Sequence, residues 1–416
     1  MLKLGLATVA EGKESLKAFS FVHAADLHLG CSQYGLEARR EDFERAFTEL
    51  VDKTIELKPD FMIIAGDLFH HPRPSNVTLE SAISNFSRLR EAEIPVLTVD
   101  GSHDCAPNVV TGTILTPLDS AGLIHYLPRH EGACWLKEDC CYVYGVPNFR
   151  TRHRTEERLP AFIEKNHPTP DSTLFNIFVF HMALDIPSVK PPYMEAEASP
   201  ELIPEGFEYY AAGHVHVPYK EKFKGGLLVY SGCTETTNYD DAKIEKGFYH
   251  VKVNERGEPS PKFIKLESPR KFTVLEQDFT GVAPSKITEL AVQLVRGADE
   301  SEAVIIPVLK GVLPVEASRA EVDIAKIRGA AQKAMLVHPV VLLRETAVSE
   351  EIVRSIFESE FKDLKTKAFE YFLQVFSERH SRDEAEKIAR VAVSLIEPLT
   401  KKQEAKVKQT LEDLLH

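Results

Sequence analysis

Aspartate and histidine recur where apolar runs end: Asp26 and His28 in "ADLHLG", Asp67 and His70 in "GDLFHH", Ser102, His103 and Asp104 in "GSHD", His181 in "FHMALD", and His214 and His216 in "GHVHVP". Carboxylate and imidazole ligands together suit manganese, iron or zinc rather than calcium. Alternate residues of an extended chain face the same way, so Asp26 with His28, and His214 with His216, each project two ligands to one side. Asp67 follows a glycine, and its two oxygens are enough to bridge two cations. Two cations held ~3.5–4 Å apart activate a water and clamp the oxygens of a phosphoryl group during in-line attack. His103, with Asp104 beside it, supplies a charged donor for the transition state or leaving group. Any one of these histidines alone is more often a satisfied structural residue than a ligand. All of these loops together, each closing an apolar run, point to a metal site. His23, His125, His130 and His338 lack such company and are read as structural.

Those loops need elements to hold them. "FSFVHAADLH", "PDFMIIAGD" and "IPVLTVDGSHD" each read as a buried strand that opens into a polar loop, with helices between. "RREDFERAFTELVDKTIEL" places Phe43, Ala46, Phe47, Leu50, Val51 and Thr54 at helical spacing, and "VTLESAISNFSRLREAE" is a second amphipathic helix. In α/β sheets, ligands sit at the C-terminal edge of the strands, where adjacent loops meet. "CCYVYGVPN", "LFNIFVFHMALD", "FEYYAAGHVHVP", "GGLLVYSGCTET" and "GFYHVKV" add a β-rich half. An α/β sandwich follows, with two sheets and helices outside them.

Residues 1–19 read as a weakly structured leader and 20–265 as the sandwich. Residues 266–346 alternate short strands and helices, including a helical run "DIAKIRGAAQKAM", and read as a small α+β domain. Residues 347–416 read as helical. Ile352, Ile356, Phe361, Leu364, Phe369, Phe372, Leu373 and Phe376 make an apolar stripe. Ser381 and Glu384 form a capping box, and "TKKQEAKVKQ" leads into a final charged helix.

The 416 residues exceed what one hydrophobic core usually serves, so two or three domains are expected. A formal net charge of −13 argues against a DNA binder that works by total charge, though not against one with a local groove or metal-holding acids. No apolar run is long enough to span a bilayer, and "MLKLGLATVA" followed by "EGKESLK" lacks the layout of a signal peptide. The six cysteines form no CxxC pair or zinc spacing and read as free thiols of a reducing cytosol.

The motifs "DLH", "GD", "GSHD", the lone His181 and "GHVH" resemble those of the calcineurin-like metallophosphoesterases, over roughly residues 20–250. Within that superfamily, "HAADLHLG", "GDLFHHPRPS", "GHVHVP" and "YSGCTETT…EKGFY" are similar to the SbcD-type DNA-repair exonucleases. The resemblance implies a four-layer α/β/β/α sandwich, a small capping domain that touches DNA, and C-terminal helices that dock on the coiled coil of an SMC-like ATPase. It also implies a cytoplasmic, nucleoid-associated homodimer that acts on DNA ends with two divalent cations, manganese in particular. Carried over by position, Asp26, His28, Asp67 and His216 serve one cation, and Asp67, position 102, His181 and His214 the other. His103 matches the transition-state histidine, oriented by Asp104, and His70 matches a histidine near the scissile phosphate. Ser102 departs from the pattern, because the family carries asparagine there. A serine hydroxyl keeps an oxygen but shortens the arm by one bond, so a weakened second site is expected. The alternatives are a phosphatase or phosphodiesterase for nucleotides or small esters, and a weakly active subunit that binds DNA ends.

Overall fold

A computed structural model describes residues 16–106, 112–137, 140–189, 194–314, 317–345, 361–377 and 381–400. Its first sheet runs in the spatial order Pro259–Lys265, Gly247–Val253, Phe19–Ala24, Phe61–Ala65, Val96–Val99, His125–Tyr126. The last four pair in parallel, with Phe21 opposite Phe61, Met62 opposite Val96 and Leu97 opposite His125. Parallel strands are covered on both faces and so read as continuous apolar runs. "FMIIA" is buried at every position.

The second sheet runs Cys134–Lys137, Cys141–Gly145, Phe175–His181, Tyr209–Gly213, Gly226–Tyr230, Tyr219–Phe223. Between the two sheets lies an apolar layer that includes Phe21, Phe61, Ile63, Leu97, Ile177, Val179, Tyr209 and Val229. Phe21 stacks on Phe61 with centroids 5.2 Å apart and meets Tyr209 edge-on at 5.1 Å. Each fully buried ring of this kind contributes roughly 1.5–3 kcal/mol by leaving water. Helices Glu37–Leu57 and Asn76–Glu91 cover the outer face of the first sheet through Ala46, Phe47, Leu50, Val51, Ala82, Phe86 and Leu89. Helix Arg152–Asn166 covers the second through Leu159, Phe162 and Ile163. The order helix, sheet, sheet, helix is the four-layer sandwich expected from the sequence.

Residues 1–15 of the leader lie outside the described residues, whereas Leu16 and Phe19 are buried in the inter-sheet layer. His23 is buried there too, with Nδ1 3.0 Å from the Tyr209 hydroxyl.

The described residues divide into two compact units, the first reaching Val274 and including Glu302–Val304, the second comprising Leu275–Ser301 and the chain from Ile305. The second unit carries the helix Pro284–Gly297 and the strands Leu336–Val337 and Val340–Arg344. Its core includes Ile287, Ala291, Val295, Leu309 and Ile327. The run read as one helix over 323–335 is shorter: the helix spans Ile324–Arg328 and Gly329 follows as its C-cap. The Asp299 carboxylate then accepts from the backbone N–H groups of Gln332, Lys333 and Ala334 at 2.8, 3.0 and 2.9 Å, which holds that segment as a turn.

Helices Phe361–Ser377 and Arg382–Thr400 complete the unit, with Ala368, Ala385 and Ala389 buried. The Ser381–Glu384 capping box is present. Ile352, Ile356 and the charged run from 401 lie outside the described residues. Among the described residues no helix is long and apolar enough to cross a membrane.

Candidate metal centre

Strands Phe19–Ala24, Phe61–Ala65 and Val96–Val99 end side by side, and in the facing sheet His181 lies opposite Gly213 at the ends of their strands. All five loops therefore emerge along one edge of the sandwich. Asp26, His28, Asp67 and His214 take left-handed backbone conformations there, with φ of 55°, 46°, 50° and 86°. Each such conformation costs of order 1–3 kcal/mol outside glycine and persists only where neighbours over-determine it. Here the Asp26 N–H donates to the Gly66 carbonyl at 3.2 Å, and the Leu27 and His28 N–H groups share the Asp67 carbonyl at 2.9 and 3.0 Å.

Two glycines leave room for the ligands. Gly66 has φ +88°, and a Cβ on it would stand 2.4 Å from His181 Nδ1. A Cβ on Gly101 would stand 2.1 Å from Asp67 Oδ1. No side chain fits at either place.

Asp26, His28 and His216 bring ligand atoms within 4.8 Å of one another, and so do Asp67, His181 and His214. The two sets adjoin. His28 Nε2 lies 4.0 Å from Asp26 Oδ1 and 3.9 Å from Asp67 Oδ2. His181 Nε2 lies 3.8 and 3.2 Å from the same two oxygens. His216 Nε2 is 3.8 Å from Asp26 Oδ1 and 3.4 Å from His28 Nε2.

Burial makes these charges expensive. It raises the Asp26 pKa above the usual carboxylate range against the pull of His181 and His216. It opposes ionisation of Asp67 as well, but His181 and His28 hold that carboxyl well below its ordinary value. Burial lowers the His181 ring too, yet Asp67 and Asp26 outweigh it and lift the ring to about 10. The two carboxylates thus demand positive charge between them. Burial keeps His28 and His214 neutral, the latter down to about 3, which leaves a nitrogen lone pair on each. His181 Nε2 is buried 3.2 Å from Asp67 Oδ2, too poorly aligned for a regular hydrogen bond. Imidazoles grouped around two buried carboxylates, His28 and His214 among them neutral, fit a pair of divalent cations.

Ser102 Oγ lies 3.4 Å from Asp67 Oδ2, the oxygen that also faces His181. The His103 N–H donates to Asp67 Oδ1 at 2.8 Å, and its ring meets His28 edge-on at 4.7 Å. His70 stacks on His103 at 4.8 Å, and its Nδ1 is 3.4 Å from His28 Nδ1.

Asp104 requires a correction. Its carboxylate does not orient His103, because it accepts from the backbone N–H groups of Gly101, Leu68 and Phe69 at 2.8, 2.7 and 3.2 Å. It ties the Asp67 and His103 loops together, and burial with Asp67 nearby raises its pKa to about 7. His103 is oriented by the His70 carbonyl, 3.0 Å from its Nδ1.

Sequence reasoning missed two carboxylates. Asp241 Oδ2 lies 3.1 Å from His216 Nδ1, receives the Thr237 hydroxyl at 2.7 Å, and belongs to a carboxylate that Lys246 pairs at 3.0 Å. Glu197 Oε2 lies 3.4 Å from His214 Nε2. Both stand in polar loops with no periodic signal, and only the fold carries them to a histidine. His125 and His130 are not isolated as read: their rings stack at 3.8 Å beside Asp119, 2.8 Å from His130 Nε2. Asp119 also accepts from the Tyr126 N–H at 3.0 Å and from Arg129 at 2.7 Å, so this group locks the end of a strand.

Residues 19–218 match the calcineurin-like phosphoesterase family. The chain is 30% identical over 268 residues to DNA double-strand break repair protein Mre11 of Methanopyrus kandleri, an alignment that spans 61% of this chain and 58% of that protein. It is also 30% identical over 335 residues to the protein of the same name from Archaeoglobus fulgidus, spanning 74% and 72%. A third relative of that name, from Methanocaldococcus jannaschii, is 31% identical over 237 residues, spanning 56% of this chain and 62% of that protein. Sequence relatedness over this extent, on a two-sheet sandwich with paired carboxylate–histidine sets at one edge, means that the chain belongs to the Mre11 family of calcineurin-like phosphoesterases.

Proposed function

We propose that this protein is a manganese-dependent DNA nuclease of double-strand-break repair that hydrolyses phosphodiester bonds at DNA ends. The observation that carries the reading is the meeting of Asp26, His28 and His216 with Asp67, His181 and His214 at one strand edge, with His103 beside them. The family's dinuclear divalent-metal site is the frame for that arrangement. In this assignment Asp26, His28, Asp67 and His216 would hold one cation, and Asp67, Ser102, His181 and His214 would hold the other. When bound, the pair supplies an activated water and charge for the phosphoryl oxygens.

The chain's own residues do the rest. A carbonyl only accepts, so the His103 Nδ1 bonded to His70 O carries a proton and Nε2 is the nitrogen left for substrate. Protonated there, His103 delivers a proton to the leaving oxygen. Asp104 fixes the loop that bears it through the Gly101, Leu68 and Phe69 amides. His70 packs against His103, and we read its role as placement near the scissile phosphate.

A comparison of substrates separates this reading from a small-ester phosphatase. With Mn2+, short duplexes should turn over faster than free nucleotides, with bis-p-nitrophenyl phosphate as a weak general phosphodiester. The reverse order contradicts a DNA nuclease.

The partner is read as an SMC-like coiled-coil ATPase, with the nuclease a homodimer in the cytoplasm at the nucleoid. Phe369, Phe372 and Phe376 are only half-buried along helix Phe361–Ser377, a surface suited to a helix laid in a groove. Deleting residues 347–416 should abolish co-purification with such an ATPase while Mn2+-dependent cleavage remains measurable. A truncated chain that still retains the ATPase rules out that docking role.

A further inference from the structure

A histidine that ligates a metal through one ring nitrogen usually donates the other N–H to a carboxylate or carbonyl, which fixes the tautomer and strengthens the ligand. His181 spends Nδ1 on the Ala65 carbonyl at 2.8 Å, which leaves Nε2 for the site. His216 spends Nδ1 on Asp241 at 3.1 Å, which leaves its Nε2. His214 is turned the other way: its Nε2 lies at ion-pair distance, 3.4 Å, from Glu197 Oε2 without forming an aligned hydrogen bond, so Nδ1 is the nitrogen away from that carboxylate. Glu197 is held in place for this. Its N–H donates to the Ala183 carbonyl at 2.8 Å, and its carboxylate accepts from the Ala183 N–H at 3.3 Å, just beyond His181. The Glu197 side chain is only 14% exposed.

We infer that Glu197 is the positioning residue of the second cation: it holds His214 with Nδ1 toward the site and strengthens that ligand where Ser102 offers only a short hydroxyl arm. The inference rests on the two-cation reading above. The first set has Asp26, His28 and His216 around it, with Asp67 nearby, whereas the second relies on His181, His214, Asp67 and the Ser102 hydroxyl. A carboxylate behind His214 therefore weighs most at the weaker site.

The test is Mn2+ calorimetry on the full chain after chelator treatment, which reads binding without turnover. The parent should bind two equivalents, one tightly and one weakly. Glu197→Gln keeps the shape and the Ala183 bond but removes the charge; it and Glu197→Ala should weaken only the weak equivalent, by ~10–100-fold. Ser102→Asn lengthens the oxygen arm and should recover most of that loss when combined with Glu197→Gln. Weak-site affinity unchanged in both Glu197 variants overturns the inference, and so does equal loss at both sites. A parent that binds no second equivalent overturns the two-cation reading itself, a result distinct from either.

Discussion

Replacing His103 with asparagine is expected to slow phosphodiester cleavage by ~10²–10⁴-fold, the range for losing a positioned acid or base. Metal content should stay intact. The ring is tethered at Nδ1 by the His70 carbonyl, and the backbone N–H of residue 103 bonds Asp67 Oδ1, a contact that asparagine retains. The substitution therefore removes the proton-carrying ring and leaves the carboxylate in place. Elemental analysis of the variant decides between the two roles open to this residue. Loss of both cations makes His103 a ligand and the assigned role wrong.

The second large effect lies in the scaffold. Arg39 is fully buried, and its guanidinium pairs with Asp42, reaches Glu235 at 3.2 Å and the Thr236 carbonyl at 2.8 Å, and lies 4.9 Å from the Phe272 ring centroid. Asp42 is shared with Arg270 at 2.5 and 2.7 Å, and Arg270 donates its own N–H to Glu235 at 2.9 Å. Burial opposes ionisation of Asp42, yet Arg270 and Arg39 hold its carboxyl below the ordinary range. Removing one partner from such a buried network costs ~3–5 kcal/mol; Asp42 would keep Arg270, but the buried Glu235 would be left with backbone amides alone. Arg39→Met should therefore lower the unfolding free energy of the first unit by about that amount. Trp135 is the only tryptophan and packs on Phe61 at 5.3 Å, so its fluorescence in a urea titration reports on this unit. Adding Glu235→Gln should return part of the loss. A loss under ~1 kcal/mol would mean that water or a neighbour compensates the orphaned acid.

That network also bears on the site. Thr236 and Thr237 are pinned by Arg39 and by the Gln33 amide, which reaches the Thr237 carbonyl at 2.7 Å. Thr237 in turn meets His216 Nδ1 at 3.0 Å and Asp241 at 2.7 Å. Arg39 of helix Glu37–Leu57 thus helps to place the loop that holds the His216 ring.

What was legible beforehand follows from what periodicity can encode. "FMIIA" and "FNIFVFH" announce strands buried on both faces, and Phe43, Phe47, Leu50 and Val51 announce a helix that buries one face. Asp26, Asp67 and His181 were legible because each ends such a run. Spacing carries no record of which acceptor a side chain will find across the fold. Asp104 sits next to His103 in the chain, yet its carboxylate serves amides of Leu68 and Phe69, while His103 turns to the His70 carbonyl. Asp241, Glu197 and the Arg39 network escaped for the same reason, since their partners lie far off in sequence or in loops with no pattern. The run over 323–335 failed locally: its apolar spacing suits a helix, but Asp299 captures three of the amides that the helix would use.

The central claim is that the paired carboxylate–histidine edge is a two-cation centre that cuts DNA ends. Its most direct test is cleavage of an end-labelled blunt duplex by chelator-treated protein as Mn2+ is titrated back, with Asp67→Asn run in parallel. No cleavage is expected without metal, then a rise that saturates only when the weaker site fills, and no recovery in Asp67→Asn at any concentration. Cleavage that persists in chelator, or that Asp67→Asn performs as well as the parent, would contradict it.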